Sequence, residues 1–412
     1  MASFIQKGVK NIVQKNPHDV VFLSALRTPV TRAKKGGLRD AYDHEMLAAV
    51  LKATTNKFPN LDPAKIHDIC IGTVLSELGG SKAGRMAANH VGLPVTTTFS
   101  TVNRACASGL SAITSIANSI AVGQIDVGIA GGMESMTRNY ASRAIPTQLW
   151  DELRNSPVKE ARDCIMSMGI TSENVAERYG ISRADQDAFA AESHKKAFKA
   201  QQSGFFDKEI VPVTTRWIEP EQPEDVKQIT VTKDDGIRGS TSVEKLASMK
   251  PAFKPDGAST AGNSSQVSDG ASAALMMRRS TAAELGLTSQ IIGKWAGTQV
   301  VGCAPDEMGI GPALAVPKLL EYTGISKDDV DIWEINEAFA SQALYCIRKL
   351  GLENANVNPN GGAIALGHPL GATSGRMLAT LLHEMERDGA KLGVLTKCIG
   401  TGMGMASLIV RE

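Results

Sequence analysis

One thiol in this chain stands where it could act as a nucleophile. The segment Asn103-Arg104-Ala105-Cys106-Ala107-Ser108-Gly109 precedes a run in which Leu110, Ile113, Ile116, Ala117 and Ile120 recur at helical spacing, until Gly123 ends it. The spacing predicts a helix buried nearly all round, with Cys106 at its N-terminus. Unpaired backbone N–H groups and the positive end of the helix dipole would there favour the thiolate, the reactive form. A lone cysteine is commonly an inert buried hydrophobe, so Cys106 needs partners before it counts as a site.

Three stretches near the other end supply candidates. Asn336-Glu337-Ala338-Phe339 follows the apolar strand predicted over 330–335, at the carboxyl end of a strand, where α/β sites are built. Gly361-Gly362-Ala363-Ile364-Ala365-Leu366-Gly367-His368-Pro369-Leu370-Gly371 sets one imidazole among glycines, with Met377, Leu378, Leu381, Leu382 and Met385 marking a helix behind it. Cys398-Ile399-Gly400-Thr401-Gly402-Met403-Gly404 ends a strand in a thiol and opens into glycines whose N–H groups could face a ligand. Each alone has a plainer reading, as a turn or cap asparagine, a structural histidine and a glycine turn. Together they supply nucleophile, base, acid and oxyanion donors, the set that acyl transfer requires.

The elements that must hold these groups read as α/β layers. From His18 onward short apolar strands alternate with amphipathic helices: a strand over 20–26, a helix over 45–57, a strand over 66–73, a helix over 81–91, the Cys106 helix, and a strand over 126–131 that breaks at Gly131-Gly132. Between about 138 and 266 the rhythm changes to polar loops around two helices, one over 172–179 stopped by Gly180 and a longer one capped at Ser182 and running towards Gly204. This stretch reads as an insertion. The third part echoes the first: 61–71 is matched by 325–335, Val102-Asn103 by Val357-Asn358, and 126–132 by 393–400, which implies an internal duplication.

Composition bounds the rest. With 412 residues and 42% hydrophobic content, the chain can bury more than one core. Lys plus Arg number 44 against 43 Asp plus Glu, so no net field gathers nucleic acid or an anionic membrane, and an anionic ligand must meet local cations. Six scattered cysteines without Cys-x-x-Cys spacing imply a reducing compartment and neither a disulfide scaffold nor a structural zinc site. No run approaches the roughly 20 apolar residues of a membrane span.

Asn-Arg-x-Cys-x-Ser-Gly, Asn-Glu-Ala-Phe, the His368 glycine loop and Cys-Ile-Gly-Thr-Gly-Met-Gly, in this order, resemble the motifs of the thiolase family from about Val20 to the C-terminus. Met168-Gly169-Ile170-Thr171-Ser172-Glu173-Asn174-Val175-Ala176 and the stretch from Thr260 to Gly270 are similar to the insertion of its degradative, peroxisomal 3-ketoacyl-CoA branch. The resemblance implies an α/β thiolase fold: two duplicated βαβαβαββ halves in an α-β-α-β-α arrangement with an inserted loop domain. The expected division is an extension over 1–17, an N-terminal half over 18–137 to which 267–290 return, a CoA-binding loop domain over 138–266, and a C-terminal half over 291–412.

By the same resemblance Cys106 attacks the ketone of a 3-ketoacyl-CoA and His368 takes its proton. The N–H groups of Cys106 and Gly400 hold the acyl oxygen, while His368 and a water on Asn336 hold the enolate oxygen. Cys398 protonates the enolate carbon and then deprotonates CoA. Met168, Ser265 and Phe339 would line the pantetheine path and Arg238 would lie near the nucleotide, a solvated surface arginine being its plainer reading. CoA is a substrate, and no cofactor or metal is called for. The family implies a homodimer or homotetramer.

Two departures are visible: Ala105 and Ala107 stand where relatives often carry Gln and Ser, and Lys397 precedes the second cysteine. Ser167 and Thr401 favour the degradative type over a biosynthetic acetyl-CoA C-acetyltransferase. Retention of Cys106, Asn336, His368 and Cys398 together argues against an inactive thiolase-like scaffold, and a thioesterase-like hydrolase would have no use for a second cysteine. The family points to the peroxisome, with cytoplasm the alternative. The C-terminal Leu-Ile-Val-Arg-Glu does not match a Ser-Lys-Leu address, and residues 1–16 match an N-terminal signal only in part.

Overall fold

The computed structural model describes residues 7–219 and 221–412, so the first six residues of the N-terminal extension lie outside it. Nine strands carry the architecture: β1 (Val20–Arg27), β2 (Asp68–Gly72), β3 (Thr98–Val102), β4 (Val127–Ser135), β5 (Ser268–Arg278), β6 (Gly293–Gly302), β7 (Ile332–Ile335), β8 (Leu392–Ile399) and β9 (Met403–Arg411). The helices used below are α1 (Asp43–Asn56), α2 (Ser81–His90), α3 (Ser108–Ala121), α4 (Met168–Tyr179), α5 (Arg183–Gln202), α6 (Gly311–Thr323), α7 (Ala340–Leu350) and α8 (Thr373–Asp388).

The strand order is β7-β8-β9-β6-β1-β5-β4-β2-β3. This path contains the same motif twice. In the first half β2 pairs in parallel with β3 and β4, and β5 runs antiparallel between β4 and β1. In the second, β7 is parallel to β8, β9 runs antiparallel between β8 and β6, and Val357 bridges Trp333 in parallel where β3 pairs with β2 in the first. Only three residue pairs, between Val20–Phe22 of β1 and 293–295 of β6, join the two halves into one sheet. The echoes seen in the sequence therefore fall on equivalent strands.

Alternation along each strand separates the layers. Val21 and Leu23 of β1 pack with Met46, Leu47, Val50 and Leu51 of α1. Val20 and Phe22 face the other way, onto Ile113, Ile116 and Ile120 of α3 and Met377, Leu378, Leu381 and Leu382 of α8. Leu395 and Ile399 of β8 meet that same central cluster, while Leu392 and Val394 turn to Ala315, Val316 and Leu319 of α6. The sequence of layers is α1, first sheet, α3 with α8, second sheet, α6. Helices α3 and α8 are apolar on most of their surface because both sheets cover them; each fully buried Leu or Ile there contributes about 1.5–3 kcal/mol.

Several boundaries differ from the sequence reading. β4 does not break at Gly131-Gly132 but continues to Ser135, because a side chain at these positions would stand 2.0 Å from the Ser272 and Gly371 carbonyl oxygens. The glycines serve close packing of backbones. α3 begins at Ser108, so Cys106 lies in the turn before the helix. α4 begins at Met168 rather than Ser172, with Gly180 as its left-handed stop. α5 is capped as expected, the Ser182 hydroxyl accepting the Asp185 N–H. Between β4 and β5 the chain also makes a hairpin, Val213–Glu219 with Gln222–Val231.

Candidate active site

Cys106 sits in a tight turn between β3 and α3. Ala105 takes a left-handed conformation (φ 42°), which costs an L-residue about 1–2 kcal/mol and needs bracing. Asn103 Oδ1 accepts the Ala105 N–H at 3.0 Å, and the Ser108 hydroxyl accepts from Arg104 N–H at 2.9 Å while donating to the Ala105 carbonyl at 2.7 Å. The sulfur faces the Gly400 N–H and its own. The expectation of a readily formed thiolate is corrected in part. Burial pushes the Cys106 thiol up, and Lys397 with these two N–H groups only offsets it.

His368 is held by its own loop. Its backbone N–H donates to the Gln266 carbonyl at 3.0 Å, and Nδ1 lies 2.6 Å from the Thr373 hydroxyl. That hydroxyl has one proton, which goes to the Pro369 carbonyl at 3.1 Å. With its proton on that carbonyl the hydroxyl accepts from Nδ1–H, an assignment from the hydrogen-bond network that leaves a lone pair on Nε2. Nε2 is buried and has no partner among the described residues. Burial, with Lys397 and Arg376 nearby, holds the imidazole well below its ordinary value and hence neutral.

Asn336 is 1% exposed at the end of β7, its backbone N–H on the Thr396 carbonyl at 2.9 Å. Both atoms of its side-chain amide lack a partner among the described residues. A buried amide with neither end satisfied is costly unless water or a ligand completes it. Cys398, fully buried near the end of β8, packs with Met308, Ala338, Phe339 and Met168. Burial, and then the neighbouring Cys106, keeps its proton on well above the ordinary thiol range. The two thiols thus occupy different surroundings, a braced turn for Cys106 and an apolar strand end for Cys398.

Residues far apart in the chain lock this arrangement. Glu134, at the end of β4, accepts N–H bonds from Val74 (3.0 Å), Leu75 (3.0 Å) and Gly371 (2.9 Å), tying the first half to the histidine loop. Burial pushes its carboxyl up to about 7. Glu337 accepts from Ser193 (2.6 Å), Asn358 (2.8 Å) and Ile364 N–H (3.2 Å), joining α5 of the insertion to the second half. Neither Glu134 nor Thr373 belongs to a motif that marks it in the sequence. A carboxylate ending an apolar strand and a hydroxyl five residues after the histidine were the available signals.

The four binding candidates divide. Met168 Sδ would lie 3.6 Å from a side chain at Gly400, and Phe339 joins Met168 and Cys398 in one apolar cluster. The Ser265 N–H donates to the Ala338 carbonyl at 3.0 Å, beside Phe339. Phe253, missed in the sequence, packs edge-on to Phe339 with 6.0 Å between ring centres. Arg238 is not drawn into this group. Its side chain is exposed, and its bonds are made by the backbone: the N–H to His194 at 3.2 Å and the carbonyl to the Thr241 N–H at 3.1 Å.

Comparison with known proteins identifies the family. The thiolase N-terminal domain matches residues 20–280 and the thiolase C-terminal domain residues 289–411. The chain belongs to the thiolase family. It is 51% identical over 396 residues to the peroxisomal 3-ketoacyl-CoA thiolase of Homo sapiens, covering 96% of this chain and 91% of that one. It is 48% identical over 406 residues to the peroxisomal 3-ketoacyl-CoA thiolase of Yarrowia lipolytica, covering 98% and 96%. The crystal structure of the dimeric peroxisomal thiolase of Saccharomyces cerevisiae superimposes with a TM-score of 0.88 at 43% identity, over 97% of this chain and 99% of that one.

Proposed function

We infer that this chain is a peroxisomal 3-ketoacyl-CoA thiolase of fatty-acid β-oxidation, an acyltransferase that cleaves 3-ketoacyl-CoA with CoA into acetyl-CoA and a shortened acyl-CoA. The observation that supports the residue roles best is a set of buried polar atoms left without partners among the described residues: His368 Nε2 and both ends of the Asn336 amide.

In this reading the Nε2 lone pair of His368 takes the Cys106 proton as sulfur attacks C3. The oxygen that becomes negative is met by the N–H groups of Cys106 and Gly400, each such donor being worth about 2.7–4 kcal/mol. The C2–C3 bond breaks, and its electrons become an acetyl-CoA enolate whose oxygen is held by His368 and a water on Asn336. Cys398 gives its proton to the enolate carbon. Its thiolate then takes the proton of incoming CoA, whose sulfur attacks the acyl-Cys106 thioester; the bond from the acyl carbon to Cys106 breaks, the Cys106 sulfur recovers the proton held by His368, and the shortened acyl-CoA leaves. An apolar pocket that keeps Cys398 protonated suits an acid that must wait for a carbanion.

The insertion over 138–266 is the proposed CoA-binding domain, between the extension and first half (1–17, 18–137 with 267–290) and the second half over 291–412. Met168, Phe339 and Ser265 line the path to the thiols, and Arg238 is left for the nucleotide end, where an exposed cation is free to meet phosphate. CoA is a substrate in this scheme, which calls on no metal or other cofactor. A homodimer is the proposed assembly. β3 is an outer strand, and Leu78, Met86 and Val95 beside it are 78%, 71% and 81% exposed, an apolar edge of the kind proteins cover. Among the described residues, no helix is long and apolar enough to cross a membrane.

The test is CoA-dependent cleavage of 3-ketoacyl-CoA substrates of increasing chain length by purified protein, with mass spectrometry of the acyl-enzyme. Cleavage of long-chain substrates and an adduct on Cys106, absent from Cys106→Ala, are expected. Condensation of acetyl-CoA without cleavage of longer substrates, or an adduct on Cys398, would overturn the reading.

A further inference from the structure

Lys397 is a fully buried cationic side chain that the mechanism above does not use. It follows Leu395 on β8 at the period of two, so its side chain enters the central layer, opposite in direction to Cys398. There its Nζ donates to the Ser374 hydroxyl at 3.2 Å, and no carboxylate lies within ion-pair distance among the described residues. Buried lysines are nearly always paired, because the desolvated ammonium is otherwise costly. An unpaired one in a core asks what anion it serves.

The surroundings of the amine point to Cys106. Ser374 belongs to the first turn of α8, and its Cβ lies 3.3 Å from where a side chain at Gly109, in the first turn of α3, would begin. Met405, the cross-strand partner of Lys397, touches the Ser111 hydroxyl of α3 through its sulfur at 3.8 Å. The amine is therefore enclosed by the beginnings of the cysteine and histidine helices. Both present the positive ends of their dipoles, which disfavour its charge unless an anion forms in the same space.

We propose that Lys397 is a positioning residue of this enzyme, the buried charge partner of the Cys106 thiolate. The inference rests on Cys106 being the nucleophile. The proton count of the attack is unchanged: the S–H proton passes to His368 Nε2, leaving S⁻ and an imidazolium, while Lys397 keeps its own protons and as NH3⁺ offsets the charge that forms on sulfur. His368 accepts the proton during attack, and Lys397 sets how readily sulfur releases it. Burial brings the Lys397 amine down to about 7, and Cys106 is the largest influence raising it again. The other ionisable groups facing it are Arg376, which is itself paired with Glu334 at 3.2 Å, Cys398 and His368. Lys397 also disfavours a charged His368, which keeps the imidazole neutral and its lone pair available.

The experiment is the pH profile of Cys106 alkylation by iodoacetamide in the full chain, followed by peptide mass spectrometry, in the parent and in Lys397→Met. Loss of the partner should move the profile up by at least about one pH unit, hence about tenfold slower alkylation below the midpoint, with the same plateau at high pH. A melting curve establishes that the variant is folded. Should Lys397→Met fail to fold, Ser374→Ala, which removes only the amine's hydrogen-bond partner, must still move the midpoint. A profile that superimposes on the parent's in a folded variant overturns the proposal. The measurement needs no turnover, so a parent that fails to cleave 3-ketoacyl-CoA would refute the functional reading and leave this result standing.

Discussion

Thr373→Val isolates the contribution of a correctly held imidazole. In the assigned network the hydroxyl gives its only proton to the Pro369 carbonyl and accepts His368 Nδ1–H across the 2.6 Å contact. Valine keeps nearly the same volume at the start of α8 but offers a methyl group to a buried N–H. Leaving a buried donor unpaired costs about 1–3 kcal/mol, which at ~1.4 kcal/mol per tenfold corresponds to a ~5–150-fold smaller population of the productive imidazole. The ring can escape the penalty only by rotating or changing tautomer, and either takes the Nε2 lone pair away from Cys106. The expected result is a fall of that size in kcat/KM for thiolysis and in the single-turnover rate of acylation, because both need the same proton transfer. KM should change little, since Thr373 is buried behind the histidine. Thr373→Ser, which restores the oxygen, should recover most of the activity. A folded Thr373→Val enzyme within about twofold of the parent in kcat/KM would refute the tautomer assignment.

Three further outcomes are expected. Cys398→Ala should lower steady-state cleavage by about 10²–10⁴-fold while acylation from a simple acyl-CoA is only moderately slowed, since Cys106 and His368 are untouched. Equal losses in both assays would mean that Cys398 supports Cys106 and is not the acid. Gly132→Ala places a methyl group 2.0 Å from the Gly371 carbonyl, so it should destabilise by about 1–3 kcal/mol and displace the histidine loop, reducing turnover as well as the melting temperature. Unchanged values for both would show that the loop is not braced there. For Lys397→Met the prediction concerns stability against pH. The lysine titrates at about 7 when folded and near its ordinary 10.5 when unfolded, so between these values the unfolded chain binds more protons. Parent stability measured in urea should therefore rise relative to the variant as pH increases from about 7 towards 10, and a constant difference would refute the depressed value.

The candidate site residues were legible because each belongs to a short local pattern. Asn103 to Gly109, the histidine loop and the Cys398 glycines declare a reactive group together with the backbone freedom around it, and helical and strand periodicity place each at the end of an element. The duplication was legible for the same reason, since both halves repeat one apolar rhythm. What the chain alone left open is every relation across long separations. Glu134 meets Gly371 across 237 residues, Ser193 meets Glu337 across 144, and Lys397 faces the turn of Cys106 from another sheet. Periodicity reports which face of an element is buried, but not which other element covers it. The break wrongly expected at Gly131-Gly132 has that origin, because only packing against the Gly371 carbonyl makes the absent side chains a requirement of a continuing strand. So does the state of Cys106. Its helix start favours a thiolate, burial opposes it, and only the folded surroundings set the two against a lysine that sequence showed merely as a departure from the family.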